Sequence, residues 1–181
     1  GFRTVVNVPE LTTTSSMLGN CIIVGDLLTN DNLIVEEKES NSFEVTNQLL
    51  VLPVNEKLTS LPSEKIQVGG IVNEAFGNNV FKASVEVNLD NGSYSIDAES
   101  GKFNLTIKLV KNIKSGKHKI GISASDSKGN SGSSLVELEI TAVPSYIKTE
   151  LGRDMMMPGS KIDIIPSLYD QADDLMNTSL D

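Results

Sequence analysis

The most constraining feature of this sequence is the alternation of apolar and polar residues in its central part. Five short runs alternate in this way, at positions 83–89, 93–97, 102–110, 119–126 and 134–142. Successive side chains of a strand point to opposite faces, so this period predicts half-buried strands. Turn residues separate the runs: we expect Asn91-Gly92 and Ser100-Gly101 to close hairpins. Strands at this spacing without an intervening helix predict an all-β fold, an antiparallel β-sandwich.

Charge divides the chain of 181 residues into three parts. The net charge of −9 is zero over 66–143, −5 over 1–65 and −4 over 144–181. We therefore predict a sandwich at 66–143, a β-rich N-terminal unit at 1–65 that is a second or an incomplete sandwich, and the start of a further β module at 144–181. Residues 56–64 are interpreted as a linker, and the chain as a segment of a longer multidomain protein.

Strands are also predicted outside the five alternating runs, in the two flanks and at the start of the central part. They are placed at 2–8, 20–25, 32–38, 43–46, 49–54, 66–72, 146–150 and 161–165, with turns at 77–79 and 170–174.

Composition excludes several classes of function. An acidic chain is a poor partner for nucleic acid, which requires a basic surface. The sequence contains no run of about 18 apolar residues, so it predicts no membrane-spanning helix. The chain has no Trp and only eight Phe and Tyr residues, so it offers few aromatic rings that could stack on sugars or bases.

The single cysteine and the single histidine argue against catalysis. Cys21 lies in an apolar run and is interpreted as a small buried hydrophobic residue, because one cysteine can form no intrachain disulfide. His118 lies between two lysines, and we expect it to be solvated at a strand edge. We predict no enzymatic activity and no catalytic residue.

Two acidic loops are candidate calcium sites, since calcium prefers oxygen ligands. One contains Asp126 and Asn130, and the other contains Asp170, Asp173 and Asp174. The favoured interpretation is that Asp and Asn make the backbone hydrogen bonds of turns, and no cofactor is required.

Further polar positions are candidates for modification or contact. Three sequons place candidate glycosylation sites at Asn91, Asn104 and Asn177. Glu37 and Glu39 are expected on one solvated strand face, with Glu36 beside them. A basic run is interpreted as a solvated loop or as a contact for an acidic module or an anionic glycan; it comprises Lys108, Lys111, Lys114, Lys117 and Lys119. The run 155–157 of three methionines is expected to fill a domain junction.

The central part resembles the immunoglobulin-like modules of bacterial and archaeal surface proteins, in particular those akin to the carboxypeptidase regulatory-like β-sandwich. The segments that carry the resemblance are 68–72, 83–89, 100–103, 115–120 and 124–132. Residues 158–171 resemble the opening of a macroglobulin-like module.

The resemblance implies tandem immunoglobulin-like modules with a structural or adhesive role in a cell-surface or extracellular protein: a stalk, S-layer, filament or adhesin. Implied partners are neighbouring modules, other copies of the protein or surface glycans. The alternative is a carbohydrate- or ligand-binding accessory module of a secreted enzyme.

Overall fold

The computed structural model describes residues 10, 12–28, 31–32, 34–75, 80, 82–152 and 155–176. In these residues the protein is all-β, as predicted, with fourteen strands and one short 3₁₀ turn, Ser15–Met17. The predicted strand at 2–8 and the turn at 77–79 lie outside the described residues.

Eight strands form one sheet. They are β5 (Leu49–Pro53), β6 (Lys57–Ser60), β7 (Lys65–Glu74), β8 (Lys82–Leu89), β9 (Gly92–Glu99), β10 (Lys102–Lys108), β11 (Gly116–Ser125) and β12 (Ser131–Ile140). Their spatial order is β5-β7-β10-β9-β8-β11-β12-β6. All pairs are antiparallel except β6 with β12, which is parallel.

The alternating sequence produces the alternating burial that we predicted. Along β8, for example, Ala83, Val85, Val87 and Leu89 are buried while the residues between them are exposed. Burying each of the valine and leucine side chains stabilises the fold by about 1.5–3 kcal/mol relative to leaving it in water. The central strands are therefore fixed in register by their apolar face.

The sheet curls sharply between β9 and β10. These two strands pair only at Lys102 and Glu99, beside their connecting turn, and then separate. The halves on either side share one apolar core, with Val68 and Ile107 from one half and Val87, Ile120 and Leu138 from the other. The curled sheet is thus a single packing unit.

Two tight turns build the hairpins around this bend. Ser100 and Gly101 have φ of +51° and +74°, as a two-residue turn with both residues in the left-handed region requires. In the β8–β9 hairpin Leu89 pairs with Gly92, so the loop residues are Asp90 and Asn91. The prediction that Asn91 and Gly92 occupy the turn is therefore one residue out of register, because Asp90 takes the positive φ of +50°.

The sheet also extends beyond the predicted range of 66–143. β5 pairs with β7, and β6 pairs with β12, so 49–60 contributes both edges of the same sheet. The prediction of a linker at 56–64 is wrong for Lys57–Ser60. Its Leu58 packs on the core, while its polar residues made the segment resemble a linker.

Three two-stranded sheets complete the described structure. They pair β1 (Gly19–Cys21) with β4 (Phe43–Val45), β2 (Val24–Leu28) with β3 (Ile34–Glu39), and β13 (Pro144–Leu151) with β14 (Ile164–Asp170). The predicted strand at 20–25 is divided between β1 and β2, and the one at 161–165 begins later, at Ile164. Pro166 is accommodated in β14 because a two-stranded sheet consists of edges only.

Candidate functional site

The first candidate calcium loop is closed by its own hydrogen-bond donors. Oδ1 of Asp126 accepts the backbone N–H of Lys128 at 2.8 Å and that of Asn130 at 3.0 Å. Its Oδ2 accepts the side-chain amide of Asn130 at 2.7 Å. Burial raises the pKa of Asp126, but these donors outweigh it and the pKa lies below its ordinary value. The loop geometry accounts for both residues without a ligand.

The second candidate loop repeats this geometry. Oδ1 of Asp170 accepts the N–H groups of Ala172 at 2.8 Å and Asp174 at 2.9 Å. In each loop the residue before the last has a positive φ, +85° at Gly129 and +65° at Asp173. The two acidic clusters are thus the same five-residue turn, used at the end of β11 and at the end of β14.

Asp170 differs from Asp126 in one respect: it is buried against the eight-stranded sheet. Only 1% of it is exposed, and its Oδ2 accepts the hydroxyl of Ser115 at 2.7 Å. The Ser115 hydroxyl lowers the pKa of Asp170, burial opposes the lowering, and the backbone N–H groups of Asp174 and Ala172 add to it. The net pKa is below its ordinary value, so a charged carboxylate joins the β13–β14 hairpin to the loop before β11.

Gln171 makes a second connection at the same place. Its Nε2 donates to the carbonyl of Ile113 at 2.9 Å, and its Oε1 accepts the N–H of Val143 at 2.8 Å. Asp170 is one of the residues predicted from the acidic pattern, whereas Gln171 and Ser115 were not predicted, because neither lies in a charged or repeated pattern. We call the contacts of Ser115, Asp170 and Gln171 the junction.

The remaining acidic residues of this loop do not converge with Asp170 as ligands. Asp174 lies 3.9 Å from the ammonium of Lys114, and both side chains are largely exposed. Within the described residues, no group of three or more His, Cys, Asp or Glu side chains is arranged to hold a metal ion.

His118 is not the solvated edge residue that we predicted. It lies on β11, opposite Leu138 of β12 and beside the β8–β9 turn, and its side chain is 11% exposed. Nδ1 lies 3.0 Å from both carboxylate oxygens of Asp90, and Nε2 lies 2.9 Å from the carbonyl of Lys114. Both partners are acceptors, so the ring fits best as an imidazolium that donates twice. Burial lowers the pKa of His118, but the bonds to Asp90 and Lys114 outweigh it and raise the pKa.

Cys21 is not buried as predicted. It is partly exposed at the end of β1, and its Sγ donates to the carbonyl of Met17 at 3.1 Å. The neighbouring Ile22, Ile23 and Val24 are also about half exposed.

The other predicted positions lie on the surface. Asn91 and Asn104 are exposed, while Asn177 lies outside the described residues. Register places Glu37 and Glu39 on one face of the β2–β3 hairpin, and Glu36 forms an ion pair with Lys38 at 2.9 Å.

The basic run is spread over β10, β11 and their connecting loop. Lys117 reaches Glu137 at 3.1 Å, and Lys114 approaches Asp174. Met155 and Met157 are 90% and 81% exposed, so within the described residues they do not fill the space between two domains, contrary to our prediction.

One aromatic pair lies outside the core of the eight-stranded sheet. Tyr146 and Tyr169 are cross-strand neighbours in the β13–β14 hairpin, and their rings stack with centroids 5.1 Å apart. Tyr146 is 44% exposed.

No described helix is long and apolar enough to cross a membrane. Comparison with protein families gives no match, and no curated protein matches the chain at a significant level of similarity.

Proposed function

We propose that this chain is a non-catalytic structural or adhesive segment of a prokaryotic cell-surface or extracellular protein. The observation that carries the proposal is the junction, because its hydrogen bonds join a separate β-hairpin to the end of a packed sheet. A buried carboxylate and a bridging amide restrain the orientation of the two parts. Such a restraint is useful in an array of modules that has to keep its shape.

We also propose that the eight-stranded sheet is an immunoglobulin-like sandwich. The pairs β5–β7, β7–β10, β8–β11 and β11–β12 match the A–B, B–E, C–F and F–G pairs of that fold. The first strand of the fold would here be divided between β5 and β6, one at each edge. Because many unrelated functions use this fold, it supports the structural role only in combination with the junction.

The rigidity of the junction is testable by distance measurement. In a Cys21→Ser background, spin labels at Ser123 on β11 and Thr149 on β13 report the spacing of the two parts by pulsed electron paramagnetic resonance. We expect one narrow distance distribution, which Gln171→Ala broadens. Gln67→Ala, at an exposed position on β7, is the matched control and leaves the distribution narrow. A broad distribution in the parent protein would contradict a stiff segment.

The cellular location needs its own experiment. An antibody against the chain is expected to label intact cells of the source organism as strongly as permeabilised cells. Labelling only after permeabilisation would overturn the proposed extracellular location.

The stacked pair of Tyr146 and Tyr169 favours a second candidate, a carbohydrate-binding accessory module, since aromatic faces stack on sugars. A glycan array separates the candidates. Binding that Tyr146→Ala abolishes would support the accessory module, and absence of binding supports the structural role.

A further inference from the structure

A cleft of about 470 Å³ opens at the end of the eight-stranded sheet where His118 lies. Its walls are the β8–β9 turn, the end of β10 and the loop that leads to β11. The volume lies within the range of about 300–1,000 Å³ typical of small-molecule sites. The cleft is separate from the stacked tyrosines of the β13–β14 hairpin, but it shares Ile113 with the junction, where the carbonyl of that residue accepts the Gln171 amide.

The floor of the cleft is apolar. Leu89, Ile107, Leu109 and Ile113 line it, and all four belong to the buried core. Tyr94 lines one side and packs against the same core. A Cβ at Gly92 would lie only 3.1 Å from the Tyr94 hydroxyl oxygen, so the glycine leaves room for this ring beside the turn. An apolar body, flat enough to lie against Tyr94, therefore fits the cleft.

The charges of the cleft are positive in sum, although the protein is acidic. Asp90, Lys108, Lys114 and His118 are the charged residues that line it. The carboxylate of Asp90 is paired with the imidazolium of His118, which leaves the two lysines. Lys108 forms no ion pair with any described residue, and Lys65 lies directly across from it on β7. Lys114 is 74% exposed and only 3.9 Å from Asp174, a loose pair that an incoming anion can replace.

We propose that this cleft binds a small molecule that combines an apolar, flat body with an anionic group. The body lies on the apolar floor beside Tyr94, and the anionic group lies between Lys108 and Lys114. His118 is a positioning residue: its bonds to Asp90 and to the Lys114 carbonyl hold the two walls together.

The test uses the full chain and three probes of defined chemistry, followed by amide shifts in ¹H–¹⁵N spectra. Benzoate combines a flat apolar body with a carboxylate, benzyl alcohol lacks the charge, and acetate lacks the body. We expect benzoate to shift the amides of Asn91, Gly92 and Asn112 saturably, and to bind several-fold more tightly than either of the other probes.

Variants identify the contribution of the lysines. Lys108→Gln with Lys114→Gln is expected to weaken benzoate binding about three- to tenfold, the loss that two exposed ion pairs produce. Lys102→Gln is the matched control, because it removes a lysine from the other end of β10. Equal affinity for benzoate and benzyl alcohol would overturn the anionic part of the proposal. The absence of saturable shifts, or a loss of equal size in the control variant, would overturn the site.

Discussion

At the scale of single residues, His118 gives the clearest dependence on pH. It is the one histidine of the chain, and its bonds to Asp90 and Lys114 raise its pKa in the folded state above the ordinary value of about 6.5. Because the pKa of His118 is higher in the folded state than in the unfolded state, its contribution to stability is complete at pH values below the unfolded-state pKa. The contribution is lost as the pH rises through the folded-state pKa. We expect the free energy of unfolding to decline over that interval above pH 6.5.

The measurement is urea denaturation at a series of pH values between 5 and 9. His118→Gln removes the titrating group, so its stability should not decline in this interval. A decline of the same size in the variant would show that another group is responsible.

Asp170 predicts a dependence of stability on pH in the opposite direction, at low pH. The pKa of Asp170 is lowered in the folded state, so its contribution to stability is complete at pH values above the unfolded-state pKa. That contribution is lost as the pH falls through the folded-state pKa. Asp170→Ala removes the acceptor of Ser115 and of two backbone N–H groups, and should cost about 2–3 kcal/mol near neutral pH. Thermal unfolding at pH 7 and pH 3 checks this. Asp163→Ala, at an exposed position before β14, is the control, and the difference between the two variants should shrink at pH 3.

At the scale of secondary-structure elements, the close approach of the start of β5 to the start of β12, where Gln48 forms a parallel bridge with Ser131, depends on one glycine. A Cβ at Gly132 would overlap the carbonyl oxygen of Leu49, whereas a Cβ at Gly121 on β11 meets only Cβ of Asn88, at 4.0 Å. Gly132→Ala should therefore destabilise the protein by about 1–3 kcal/mol, and Gly121→Ala should be neutral or slightly stabilising. Denaturation midpoints of the two variants test this. Equal midpoints would mean that β5 does not lie on β12.

The elements also show how far sequence reasoning reaches. Alternation predicted β8, β10, β11 and β12, because one face of each strand is buried and the pattern records this directly. It could not predict that β6 pairs with β12, because pairing between segments about eighty positions apart leaves no local signal. The short, polar sequence of β6 instead resembled a linker.

The candidate site shows the same limit. The Asp and Asn residues of the acidic loops at Asp126 and Asp170 predict turns, because such side chains bond to nearby backbone N–H groups. Local sequence does not specify that Asp170 also meets Ser115, or that Gln171 reaches Ile113 and Val143. Those contacts depend on how the hairpin packs on the sheet. His118 is covered by the β8–β9 turn and by the loop before β11, through Asp90 and Lys114, and the lysines on either side of it gave no sign of this.

At the scale of the whole molecule, local stability should vary strongly along the chain. The strands β8 and β11 lie inside the curled sheet, with Val85, Val87 and Ile120 fully buried. The described side chains of the β2–β3 hairpin are all exposed, and an isolated two-stranded sheet is at best marginally stable. Amide hydrogen exchange should therefore be slowest in β8 and β11 and much faster in β2 and β3. Comparable protection in β2 and β3 would mean that a partner covers them.

The parallel pairing of β6 with β12 has a mechanical consequence. When the chain is stretched from the residues before β6 and after β12, the two strands are pulled in opposite directions along their common axis. Their hydrogen bonds, from Glu137 opposite Lys57 to Ile140 opposite Ser60, then carry the load together, in shear. In an antiparallel hairpin pulled from its open end, the bonds break one after another. The sheet should thus resist tension best along the direction in which the chain itself runs.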